Sequence, residues 1–128
     1  MTRLTKTHTS TVTEDQIDHL GHMNVRFYAV NARAGTNALL TDLDWEDPAE
    51  ADVFDMYTRH HREQLLGTEL EVRSGVLDVD ANSLQIYHEL ANASSGELAA
   101  TFVHRVRDTG EVSLDDLDMV DLPVHGRP

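Results

Sequence analysis

The residue types that could do chemistry concentrate in two short segments. The first, Ile17 to Tyr28, reads IDHLGHMNVRFY and offers the Asp18 carboxylate, the imidazoles of His19 and His22, and the Asn24 amide. The second, Arg59 to Glu63, reads RHHRE and sets Glu63 beside two histidines and two arginines. A carboxylate can activate water or attack a carbonyl directly, so Asp18 and Glu63 are the candidate bases or nucleophiles. His22 is a candidate for acid–base work or substrate contact. Gly21 would let the backbone come close to a reacting carbonyl. Amides at a helix start carry partial positive charge and suit a developing oxyanion. Asn24, in the same segment, is more readily a helix N-cap than a catalytic group.

The chain has eight histidines in all, which raises the question of a metal. His60 and His61 are adjacent, so on a strand they would face opposite sides and could not share an ion. No His-Glu-x-x-His spacing occurs, and no metal site is expected. His88 and His104 fall on the apolar faces of two strands and are expected to be core histidines with hydrogen-bond partners, although such faces can also line an acyl pocket. The chain has no cysteine, which removes disulfides, thiolate metal sites and a cysteine nucleophile from consideration.

Charge narrows the partners. A formal net charge of -13 argues against nucleic acid, which needs a basic footprint. Long-range repulsion also disfavours an acidic carrier protein or an anionic membrane. Arg59 and Arg62 form the densest basic spot, and with Arg73 they are the candidate contacts for an anionic ligand. The first residues, MTRLTKTHTSTV, lack the apolar core of a signal peptide, and no apolar run approaches the ~18 residues of a membrane span. The expected location is the cytoplasm.

The elements that must position these residues follow from periodicity. Residues 4–13 alternate, with Thr at every odd position from Thr5 to Thr13, and predict a strand. A polar loop follows. Residues 25–40 predict a helix whose apolar positions (Val25, Tyr28, Ala29, Ala32, Leu39 and Leu40, widened by Phe27, Val30, Ala34 and Ala38) cover so much of its girth that burial on most sides is expected. The acidic stretch around Pro48 reads as a loop. Strands are then predicted over 53–65, 69–79 (with Gly75 a candidate bulge), 83–91 and 97–107, separated by turn residues. The expected architecture is α+β, one domain over residues 1–128. Its core spans about 4–108, and an acidic C-terminal extension covers 109–128.

With this element order, the first segment resembles the Asp-x-x-Gly-His-(Met/Val)-Asn motif of the hot-dog fold thioesterases, matched by Asp18, Gly21, His22, Met23 and Asn24. The segment RHHREQLLGTELEV is similar to that superfamily's second signature, matched by Arg62, Glu63 and Gly67. The resemblance covers residues 8–107 or so. It departs at Leu20, where acyl carrier protein thioesterases carry Asn, and at Gln16, where many relatives carry a second Asp. The dehydratases and hydratases of the same fold carry a proline-containing segment that is missing here.

The resemblance implies a sheet wrapped around a long central helix and hydrolysis of an acyl-CoA to free acid and CoA. It implies catalysis by Asp18, Glu63 and His22, with substrate contacts from Gly21, Met23, Asn24, Tyr28, Arg59, His60 and Arg62. No cofactor is implied, since coenzyme A enters as part of the substrate. A homodimer or dimer of dimers is implied, with Asp18 and Glu63 meeting across an interface. On this reading Glu63 is a strand residue, desolvated and raised in pKa, and Asp18 fixes the loop or orients His22. The competing function is a non-catalytic protein that binds acyl-CoA or another small ligand.

Overall fold

The alternating stretches form five antiparallel strands, and the intervening apolar segment forms one long helix. In order along the chain they are β1 (Thr5–Thr11), α1 (Val25–Asp42), β2 (Val53–His60), β3 (Glu69–Val79), β4 (Ser83–Asn92) and β5 (Leu98–Arg107), with single 3-10 turns at Glu14–Gln16 and Pro48–Glu50. A computed structural model describes residues 4–80, 82–108 and 119–121. The strands lie in one sheet in the order β1-β3-β4-β5-β2. The predicted extension from 109 onward lies outside the described residues except at 119–121, where Met119 bridges Val76 and Val120 is buried.

Asn24 caps α1: its side-chain oxygen accepts the Arg26 N–H at 3.0 Å. The helix then buries Tyr28, Asn31, Ala32, Gly35, Thr36, Leu39 and Leu40, a stripe at spacings of three and four. The expectation of burial around most of the girth is corrected here. Val25 and Val30 are 61% and 57% exposed, because the single sheet reaches only one side of the helix. Gly35 brings the helix directly onto β3: a Cβ there would lie 2.8 Å from Val72 Cγ1. Gly75 serves close approach as well, and it is not the bulge. A Cβ on it would lie 2.7 Å from Val120 Cγ1, while the register slips between Val76 and Asp78.

The helix–sheet interface is layered. Val12, Met23, Tyr28, Ala32, Leu70, Val72, Leu90 and Phe102 pack together toward the start of α1. Leu39, Leu40, Trp45, Val76, Leu84, Ile86 and Val106 pack together toward its end. Each fully buried Leu or Ile here stabilises the fold by about 1.5–3 kcal/mol.

Between the two clusters runs a polar chain. Thr7 Oγ1 donates to the Val72 carbonyl at 3.3 Å and meets Ser74 Oγ at 2.8 Å. Ser74 Oγ meets His88 Nδ1 at 2.5 Å. Thr36 Oγ1 meets His88 Nε2 at 2.7 Å and His104 Nδ1 at 2.8 Å. Each hydroxyl has one proton and each neutral imidazole one N–H. Fixing the Thr7 proton on the Val72 carbonyl therefore fixes the rest. Ser74 donates to Thr7, His88 Nδ1–H donates to Ser74, Thr36 donates to His88 Nε2, and His104 Nδ1–H donates to Thr36. His104 Nε2 ends the chain as a buried acceptor without a partner. His88 and His104 are thus core histidines with hydrogen-bond partners, as the strand pattern predicted.

The loop from α1 to β2 is fastened to the helix by one side chain. Arg33 Nη2 donates to the carbonyls of Ala49 at 3.1 Å and Ala51 at 2.9 Å, and its Nε donates to Asn37 Oδ1 at 2.9 Å.

Candidate active site

A cleft of about 350 Å³ opens where the start of α1 meets the segment that leaves β2. It is lined by Asp18, His22, Met23, Val25, Tyr28, His60, His61, Arg62 and Glu63. Both segments singled out in the sequence therefore converge on one place.

The first segment is shaped by Asp18. Its Oδ1 accepts the backbone N–H of Leu20 at 2.9 Å and of His22 at 3.3 Å, closing a tight loop. Gly21 sits within that loop at φ +83°, the left-handed region that glycine adopts without strain. Asp18 acts on the His22 backbone, so its effect on the imidazole runs through the loop. The bond from Met23 N–H to the Gln64 carbonyl at 2.7 Å ties this loop to the second segment.

The second segment departs from the sheet earlier than predicted. β2 ends at His60, and the N–H groups of His61 and Arg62 both turn toward the Ala99 carbonyl, at 2.8 and 3.1 Å. Strand alternation therefore does not apply to His60 and His61, and both residues line the cleft. The Arg62 carbonyl accepts from the Tyr28 hydroxyl at 3.0 Å and from Gln64 Nε2 at 3.3 Å. These bonds hold the backbone on either side of Glu63, whose Oε2 lies 3.2 Å from His22 Nε2.

Several expectations are corrected by this geometry. Glu63 is not on a strand, and its side chain is 72% exposed, so this chain's own residues do not desolvate it. Asp18 and Glu63 line the same cleft within one chain, so bringing them together needs no second subunit. Gly21, Asn24 and Arg59 lie outside the lining, and Asn24 is occupied as the helix cap. The amides of Gly21 to Asn24 are also unavailable as oxyanion donors, since each bonds within the protein: to Asp18 O, Asp18 Oδ1, Gln64 O and Gln16 O in turn. The next amide, that of Val25, begins the helix, where no intrahelical acceptor exists for it.

His61 and Val25 are the lining residues that the sequence reading did not assign. The doubled histidine was a signal for the first. For the second the only signal was its place directly after the cap.

Burial pushes the Tyr28 hydroxyl above its ordinary pKa. A backbone hydrogen bond with Gln64 opposes that rise, and the charges of Glu63 and Asp18 add to it. The Tyr28 ring also stands edge-on to His60, with centroids 5.0 Å apart. Arg62 is paired with Glu97 at 3.1 Å and Arg73 with Glu71 at 3.4 Å, so neither stands ready for an anion without exchanging a partner. Among the described residues, no group of three or more His, Cys, Asp or Glu is placed to hold a metal ion. No helix among them is long and apolar enough to cross a membrane.

The chain matches the model of the thioesterase-like superfamily over residues 12–107. Its fold is similar to that of a thioesterase candidate from Pseudomonas putida, with a TM-score of 0.77, 23% identity, and coverage of 98% of this chain and 82% of that one. It is similar to a thioesterase from Thermus thermophilus complexed with coenzyme A and Zn, with a TM-score of 0.73, 22% identity, and coverage of 95% and 94%. It is also similar to a hypothetical protein from Staphylococcus aureus in complex with CoA, with a TM-score of 0.71, 23% identity, and coverage of 84% and 72%. A search of curated protein sequences gives no significant match.

Proposed function

The chain belongs to the thioesterase-like superfamily, and from that premise we propose that it hydrolyses an acyl-CoA to the free acid and CoA in the Asp18–His22–Glu63 cleft. The observation that carries this reading is the contact of His22 Nε2 with Glu63 Oε2 at 3.2 Å, beside the start of α1. Glu63 takes a proton from water as the water oxygen attacks the thioester carbonyl. The Val25 N–H faces the oxygen that gains charge, in place of the four amides consumed in the loop. The proton then passes to the sulfur as the C–S bond breaks, which restores the carboxylate. His22 holds Glu63 in place, and Asp18 holds His22 through the loop backbone.

Coenzyme A enters as substrate, and no further cofactor is part of this proposal. CoA-bound structures among the neighbours support the choice of carrier. The acidity of the chain supports it as well, by disfavouring an acidic carrier protein. A homodimer or dimer of dimers is part of the proposal. β2 is an edge strand with Phe54 and Met56 exposed, and an uncovered apolar edge favours pairing. The proposed location is the cytoplasm.

The test is release of free thiol from a panel of acyl-CoAs, with Glu63→Gln run beside the wild type. Hydrolysis by the wild type and its loss in the variant are expected. Tight binding of one acyl-CoA with no thiol released from any would instead establish a non-catalytic binding protein.

A further inference from the structure

We infer that the acyl group this cleft accepts is short or compact, because the protein closes every path for an alkyl chain between helix and sheet. The inference rests on the thioesterase reading and adds the class of substrate.

The cleft volume of about 350 Å³ is near the low end for small-molecule sites. Its floor is shut by Met23 and Tyr28, 3% and 5% exposed, which pack into the same cluster as the fully buried Leu90 and Phe102. The Tyr28 ring cannot swing aside without breaking its hydroxyl bond to the Arg62 carbonyl. Below it, the helix already rests on β3 at Gly35, where even a Cβ would come within 2.8 Å of Val72. The next layer is the polar chain. An alkyl group threaded there would part Thr36 from His88 and His104, leaving buried donors and acceptors unsatisfied. Six of the cleft's nine lining residues, Asp18, His22, His60, His61, Arg62 and Glu63, carry a polar or charged group. The apolar side chains on offer are Met23, Val25 and the Tyr28 ring, all at the shallow end of the helix–sheet interface.

An alkyl chain entering an apolar tunnel gains roughly fourfold in affinity per methylene. The experiment is a titration of the full-length protein with non-hydrolysable thioether analogues of acetyl-, butyryl-, hexanoyl-, octanoyl- and palmitoyl-CoA. It is read beside kcat/KM for thiol release from the matching thioesters. Affinity and kcat/KM are expected to level off by hexanoyl. A steady gain through palmitoyl overturns the inference while leaving thioester hydrolysis standing. Binding that levels off with no hydrolysis leaves the inference standing and removes the thioesterase reading, and failure to bind any analogue overturns both. A second arm uses Tyr28→Ala, which removes the ring from the floor and is expected to extend the gain to octanoyl; an unchanged short-chain profile in a folded Tyr28→Ala would show that the ring does not set the limit. The wild-type profile decides the matter even if Tyr28→Ala does not fold.

Discussion

Two groups of histidines sit on this fold and serve opposite ends. In the middle of the helix–sheet interface, His88 and His104 are fully buried and joined through the Thr36 hydroxyl. At the start of α1, His22 is partly exposed and faces a carboxylate that is largely exposed. Burial pushes His88 well below the ordinary histidine value, with His104 adding to the effect. Burial, and then the charge of Arg33, brings His104 down to about 4. Both buried rings are therefore held neutral near pH 7, each with its single proton committed to a neighbour. The exposed pair has a wet face, and its carboxylate lies 3.2 Å from the ring nitrogen. The same side chain becomes structure or chemistry according to access to water and the partner supplied.

The comparison can be broken most directly at Glu63. Replacing it with Gln is expected to lower turnover by about 10²–10⁴, the usual weight of general acid–base catalysis, with the melting temperature little changed because the side chain is exposed. Unchanged turnover would move the base to Asp18 or remove catalysis from the cleft.

In the interior the expected pattern is reversed. Thr36→Val keeps the shape but strands His88 Nε2 and the His104 Nδ1 proton, at a cost on the order of 3 kcal/mol in unfolding free energy. Turnover per folded molecule should stay near wild type. A denaturation midpoint equal to wild type would mean the chain of hydroxyls and imidazoles contributes nothing.

The pH dependence sharpens the same contrast. The folded pKa values of His88 and His104 lie below the unfolded one, so below pH ~6.5 the unfolded chain binds protons that the native one does not. Stability is fully present above that value and falls as pH drops toward 4, by about 1.4 kcal/mol per pH unit for each ring. Denaturant midpoints at a series of pH values check this, and a flat profile across that window would show that the rings take up protons while folded.

The smallest expected effect is at the helix cap. Asn24→Ala should cost about 1 kcal/mol through loss of the bond to Arg26, read as a lower melting temperature with hydrolysis retained.

What could be read from the sequence was local. The Asn24 cap, the strands that end at Val79 and begin at Ser83, and the inward faces of His88 and His104 follow from spacing within a few residues. The meeting of Asp18, His22 and Glu63 was legible only through the two-segment resemblance. The misreadings concern partners far along the chain. The girth of α1 looks apolar on every side until the sheet is seen to cover only one. Gly75 reads as a bulge until Val120 is found against it. Glu63 reads as a strand residue until the Ala99 carbonyl draws the chain off β2. The backbone before the helix reads as open to a carbonyl until Asp18, Gln64 and Gln16 are seen to use the amides of Gly21 to Asn24.

The Arg33 fastening bears on how the sheet is assembled. β3, β4 and β5 are joined in sequence by short connections, but β2 must find β5 across a long stretch of chain: His60 pairs with Ala100 and Val53 with Val106. Joining segments so far apart carries an entropic penalty that grows with the length of free chain between them. On the other side of β2, a second tether from Leu43 to Ala51 joins it to the helix, and by gripping the carbonyls of Ala49 and Ala51 Arg33 takes up that slack once the helix is formed. One guanidinium on the helix thereby sets the working length of the leash that delivers the last strand of the sheet.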